Sequence, residues 1–170
     1  AEDGIRDIGV TGVQTCALPI YALDYHWCND LTSGVADGVD EVRKKVRFDI
    51  QQGADVIKIL ATGGVLSAND DPRHTGYTQD EMRAAVDEAN RLGRYVAAHC
   101  HGKEGMIWVS NAGARSIEHG TYMDAEAAAV LKRNGTWYVP TLYVIEPILA
   151  EGDRKSTRLN SSHANISYAV

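Results

Sequence analysis

Four times between residues 37 and 142 a stripe of helical period closes on a glycine and gives way to a short apolar run. Asp37 or Asp40 can cap the first helix, whose stripe is Val39, Val42, Val46 and Ile50. Gly53 is placed to end it in the left-handed conformation, and Ala54–Leu60, rich in β-branched residues, follows as a buried strand. Thr78 and Glu81 have capping-box spacing ahead of Met82, Ala85, Val86 and Ala89. Gly93 ends that helix and Tyr95–Cys100 is the next strand. A shorter helix over Lys103–Asn111 stops near Gly113, before a strand at Ser116–His119. Asp124 caps Ala125–Arg133, Gly135 closes that helix, and Trp137–Leu142 is the last strand. Helix and strand in alternation predict an α/β fold with a parallel sheet and helical crossovers. Four such strands are half of a (β/α)8 TIM-type barrel. A doubly wound sheet shares the alternation, so the pattern by itself leaves both open.

The strands carry the residues of chemical interest at or near their C-terminal ends, the face where barrel enzymes do their chemistry. Lys58 interrupts the apolar run Val56–Leu60 and shares its face with Val56 and Leu60. Burying an ammonium is costly and lowers its pKa. A neutral amine can react with carbon dioxide to form a carbamate, an anionic oxygen ligand able to bridge two cations. His99 and His101 form an H-x-H pair at the end of the next strand, and His119 ends the third. Each residue alone has an ordinary reading, as a salt-bridged lysine or a hydrogen-bonded histidine. Together, on three consecutive strands, they favour a cation site. Glu118 falls on the face opposite His119 and is read as structural. Arg43, Lys44, Lys45 and Arg47 are read as a solvated helix face. Asp70, Asp71, Arg73 and His74, in the long loop Ala61–Tyr77, are read as solvated loop charges, and His26 as a solvated loop histidine.

Residues 3–20 can be written in codons whose reverse complement translates as residues 153–170. The string resembles a common short-read sequencing adapter, so residues 1–20 and 153–170 are read as adapter-derived and set aside from the fold. With them go Cys16, His163, the N-x-S pattern at Asn165 and the basic residues Arg154, Lys155 and Arg158. Residues 21–152 remain as a fragment of a catalytic barrel.

The net charge of −6 offers no basic patch for nucleic acid and no polybasic face for a membrane. No apolar run approaches the ~20 residues a membrane span needs. Three cysteines at irregular spacing are no disulfide framework, which makes a reducing, cytoplasmic setting the default expectation.

The stretches G-A-D-V-I-K-I-L-A-T-G-G (53–64), Y-T-Q-D-E-M-R-A-A-V-D-E-A (77–89), V-A-A-H-C-H-G (96–102), A-G-A-R-S-I-E-H-G-T (112–121) and W-Y-V-P-T-L (137–142) resemble the amidohydrolase superfamily, in its imidazolonepropionase-like and Xaa-Pro dipeptidase (prolidase-like) branch. The resemblance covers nearly all of Gly38–Tyr143. It implies strands four to seven of a distorted (β/α)8 barrel holding one or two divalent metals, zinc foremost. It implies that Lys58 is the carboxylated bridging ligand, that His99 and His119 are metal ligands, and that His101 contacts the substrate's reacting oxygen. The family's first-strand H-x-H pair and eighth-strand aspartate are expected outside residues 21–152. The implied activity of the parent is hydrolysis of an amide C–N bond by metal-activated hydroxide. A small dipeptide of Xaa-Pro type is the expected substrate and a homo-oligomer an expected assembly. A cyclic-amide hydrolase and a metal-free binding module are the alternatives, and the fragment alone is expected to be inactive.

Overall fold

The structure, a computed structural model, describes residues 34–65 and 70–142. His26 and both segments read as adapter lie outside the described residues. Four strands, β1 (Val56–Leu60), β2 (Tyr95–Cys100), β3 (Ser116–His119) and β4 (Trp137–Pro140), form one sheet in the order β1-β2-β3-β4. Every neighbouring pair is parallel. Helix α1 (Val39–Gln51) precedes β1, and α2 (Gln79–Arg91), α3 (Lys103–Ala112) and α4 (Ala125–Asn134) connect successive strands. The strand order runs without the reversal that marks a doubly wound sheet. The architecture is thus α/β with a sequentially ordered parallel sheet, consistent with a partial TIM-type barrel.

The strands alternate in burial because successive side chains leave opposite faces of a sheet. Ile57, Ile59, Val96, Ala98, Cys100 and Ile117 are buried in the core, together with Met82, Val86, Met106, Val109 and Leu131 from the helices. Burial of each large aliphatic side chain stabilises the sheet–helix layer by about 1.5–3 kcal/mol. The opposite face, with Val56, Lys58, Leu60, Ala97, His99, Ser116 and Glu118, is half-buried. Register sorts this face into two layers. Lys58, Ala97, Ser116 and Trp137 lie in one, and Leu60, His99, Glu118 and Val139 lie in the next, nearer the C-terminal ends of the strands.

Local chemistry sets the element ends. The Thr78 hydroxyl accepts from the Glu81 amide at 3.3 Å while the Thr78 amide donates to the Glu81 carboxylate at 2.8 Å, a complete capping box. Asp124 caps α4 by accepting from the Ala127 amide at 2.8 Å. Gly53, Gly93, Gly113 and Gly135, which close the four helices, all have positive φ, where an L side chain would be strained.

Four details depart from expectation. Neither Asp37 nor Asp40 caps α1: its N-cap is Gly38, whose amide donates to the Glu81 carboxylate on α2 at 2.7 Å. Lys45 is not on a solvated face. Its side chain is 0% exposed and its ammonium donates to Asp49 at 2.6 Å, because residue 45 falls in the same stripe as Val42, Val46 and Asp49. The last strand stops at Pro140 instead of Leu142, since the imide lacks the N–H needed to continue a ladder. Finally, Glu118 stands in register with His99 and accepts from the Ser116 hydroxyl at 2.6 Å. It therefore lies on the same face as His99, and His119 is the residue that strict alternation sends the other way.

Candidate metal centre

The chain brings His99, His101 and His119 together at the C-terminal end of the sheet. Their candidate donor nitrogens all lie within 4.8 Å of one another. The ring centroids of His99 and His101 are 4.6 Å apart, those of His99 and His119 4.7 Å, and those of His101 and His119 5.0 Å. His99 reaches the cluster by ordinary alternation from β2. His101 follows two residues later, just past the strand. His119 pairs in register with the fully buried Cys100, on the helix-facing side. It turns into the cluster because its own φ is +75°. A histidine in that region costs on the order of 1–2 kcal/mol, and such strain collects at functional sites.

Hydrogen bonds fix each ring. His99 Nε2 lies 3.3 Å from the Gly63 carbonyl. His101 Nδ1 is 2.7 Å from the Thr121 hydroxyl, and His119 Nδ1 is 2.6 Å from the Thr141 hydroxyl. The His101 amide donates to the Thr62 hydroxyl at 2.9 Å, and that hydroxyl in turn donates to the Gly63 carbonyl at 3.2 Å. The Tyr138 hydroxyl donates to the His119 carbonyl at 3.1 Å, holding the turned backbone from β4. The loop after β1 packs closely here. A Cβ on Gly63 would collide with the Asp70 carboxylate, whose other oxygen accepts from the Gly64 amide at 2.9 Å. One on Gly102 would lie 2.6 Å from the Arg73 carbonyl.

The electrostatics keep the His99 and His119 rings neutral. Burial, then the nearby His119 and Lys58, lower the His99 pKa to about 4, with the Gly63 carbonyl and Asp70 opposing in part. Burial and Lys58 lower that of His119, with Glu118 opposing. Neutral imidazole is the form that binds a metal. Three closely spaced imidazoles, each with one nitrogen hydrogen-bonded to the protein, fit a divalent cation. The donor set suits zinc and other borderline ions better than calcium or magnesium.

Of the four residues singled out in the sequence, the three histidines form this cluster. Lys58 stands one layer deeper on the same face as His99, close enough for its charge to act on both His99 and His119. The threonines at the strand ends, Thr62, Thr121 and Thr141, had drawn no attention in the sequence. Their signal is a position one to two residues beyond each strand's last residue, visible only once strand ends are known.

A family model described as the amidohydrolase family matches residues 5–166. Ochratoxinase of Aspergillus niger is 46% identical over 116 residues, which is 68% of this chain and 24% of that protein. Its crystal structure superposes with a TM-score of 0.69 at 42% identity, over 76% of this chain and 30% of that one. A Xaa-Pro dipeptidase with methionine bound in its active site gives a TM-score of 0.74 at 39% identity, over 84% and 36%. A prolidase complexed with N-methylphosphonate-L-proline gives 0.70 at 37%, over 79% and 34%. The chain thus spans about a quarter of the curated relative and about a third of these solved structures.

Proposed function

The chain belongs to the amidohydrolase family, and on that premise we propose that the protein it represents hydrolyses an amide C–N bond of a small, dipeptide-like substrate at a divalent metal centre. The observation that carries this reading is the convergence of three imidazoles at the C-terminal end of a parallel sheet. His99 and His119 are the proposed imidazole ligands and Lys58 the third protein ligand. A protonated Lys58 would repel a cation beside these rings. Its carboxylation, amine plus carbon dioxide giving carbamate and a proton, would replace that repulsion with an anionic oxygen. A divalent ion held there would supply Lewis acidity and lower the pKa of water towards ~7.

The other roles belong to the chain itself. His101, held by Thr121, is proposed to hydrogen-bond the tetrahedral intermediate at the reacting carbonyl, accepting at its free nitrogen from the hydroxyl that has added there. The Gly63 carbonyl, 3.3 Å from His99 Nε2, is proposed to hold that ring in the orientation a ligand needs. The similarity to a Xaa-Pro dipeptidase and a prolidase supports Xaa-Pro dipeptides as substrates. The higher identity to an ochratoxinase favours ochratoxin as a second substrate to assay.

The test is metal content and hydrolysis by the full-length protein. Zinc or a related divalent ion should copurify, and His119→Asn or Lys58→Ala should lower metal occupancy and reduce kcat at least ~100-fold. A metal-free full-length protein, or one inactive on Xaa-Pro dipeptides, ochratoxin and cyclic amides alike, contradicts the reading.

A further inference from the structure

Two of the three clustered rings are held in the same way. Each has its Nδ1 against a threonine hydroxyl supplied by the following βα unit: His101 at the end of β2 meets Thr121 beyond β3, and His119 at the end of β3 meets Thr141 beyond β4. The partners are 20 and 22 residues apart, one repeat of the fold. Both contacts, at 2.7 and 2.6 Å, are at the short end for a nitrogen–oxygen hydrogen bond. A hydroxyl can donate or accept, so distance alone leaves the proton's place open.

The two cases differ in consequence. If the hydroxyl donates, Nδ1 carries the lone pair and Nε2 carries the proton. If it accepts, Nδ1 carries the proton and Nε2 carries the lone pair. Rings converging within 4.8 Å with N–H groups turned on one another would repel. Lone pairs so placed let His119 hold a cation and His101 accept from a hydroxyl beside it. We propose that Thr121 and Thr141 are positioning residues that accept the Nδ1 proton of His101 and His119, fixing the tautomer in which Nε2 is the electron-pair donor. Thr62 plays a parallel part on the backbone, accepting from the His101 amide and passing its own proton to Gly63. Hydroxyls beyond β1, β3 and β4 thus each act on a residue at the end of a neighbouring strand. A neutral acceptor pushes less electron density into the ring than a carboxylate would. A cation held by such rings keeps more of its Lewis acidity.

The inference rests on the metal-dependent reading above, and the experiment separates the two. The full-length protein, labelled with nitrogen-15 at its histidine rings and stripped with chelator, is examined by NMR above the imidazole pKa range. His101 and His119 should show a protonated Nδ1 and an unprotonated Nε2. Thr141→Val should shift His119 alone towards mixed tautomers and Thr121→Val should shift His101 alone, while Thr141→Ser and Thr121→Ser restore the wild-type pattern. Zinc affinity should fall about 10- to 100-fold in Thr141→Val and recover in Thr141→Ser. A wild-type spectrum with Nε2 protonated overturns the proposal, as do valine variants with unchanged tautomers. If valine unfolds the protein, the wild-type and serine spectra still decide. A wild type that binds no divalent ion removes the metal reading, and the tautomer pattern then judges the hydroxyls on its own.

Discussion

A buried lysine draws attention to the energetic stake of a single residue. Lys45 and Asp49 are both withdrawn from solvent on α1, one turn apart, and the second carboxylate oxygen of Asp49 has no hydrogen-bond partner. Burial raises the Asp49 pKa against the opposing pull of Lys45. Removing one partner leaves an uncompensated buried charge, so Asp49→Asn should destabilise by about 3–5 kcal/mol. The double variant Lys45→Met with Asp49→Leu should lie within about 1 kcal/mol of wild type, or above it. Urea unfolding midpoints of both variants check this, and equal losses in the two would contradict it. The pair also shows what the sequence concealed. Lys45 sits in a run of four cations, which reads as a solvated face, yet its spacing from Val42 and Asp49 places it in the apolar stripe. As candidates, Lys58, His99, His101 and His119 were legible because each interrupts or ends an apolar run. The route by which His119 joins the others was not, since a positive φ at a histidine breaks the alternation that sequence reasoning relies on.

Between elements, the contacts that orient the helices are few and specific. Glu88 on α2 accepts from Arg47 on α1 at 2.7 Å and also pairs with Arg91. These guanidinium partners hold the Glu88 carboxyl down to about 2 from an ordinary value of 4.5. A depressed carboxylate pKa means the unfolded chain binds more protons in that range. The stabilisation is therefore complete above about 4.5 and is lost as pH falls through about 2. Both arginines are more than half exposed, which limits the contribution to about 1 kcal/mol. Glu88→Gln should lower stability by that amount at neutral pH, and the gap to wild type should close on acidification across this window. A gap that widens would contradict the sign.

Helix α3 seats against the site itself. A Cβ at Gly105 would stand 2.5 Å from Thr62 Cγ2 and 3.0 Å from the Cys100 sulfur. Gly105→Ala should cost about 1–3 kcal/mol by overpacking. It should also weaken metal binding, because Thr62 would shift with the His101 amide it holds. An alanine variant unchanged in thermal midpoint and metal affinity would show that the helix yields instead. The helices, their caps and their glycine stops were readable from periodicity. Their seating on the site was not, because close approach at a glycine leaves no periodic signal.

At the scale of the whole molecule, the sheet carries an apolar margin. On β4 and just beyond it, Trp137, Tyr138, Val139 and Leu142 are exposed, Trp137 and Leu142 at 69% each. Among the described residues β4 pairs only with β3. An exposed apolar edge of this kind invites strand addition. The chain by itself should therefore self-associate at micromolar concentration. Size-exclusion chromatography with light scattering would reveal this, and a monodisperse monomer would contradict it. The parallel sheet was legible from the alternation of helix and strand, but its sequential order was not, since a doubly wound sheet shares that alternation; how much of it stays uncovered depends on tertiary context that no local pattern encodes. The forward-leaning threonine bonds add a last consequence for anyone recombining this scaffold. A crossover placed between two units would transplant a histidine faithfully while replacing the hydroxyl that disciplines the histidine before it. Damage in such chimaeras should surface one unit upstream of the junction, and functional hybrids should be those whose donors share threonine at both rim positions.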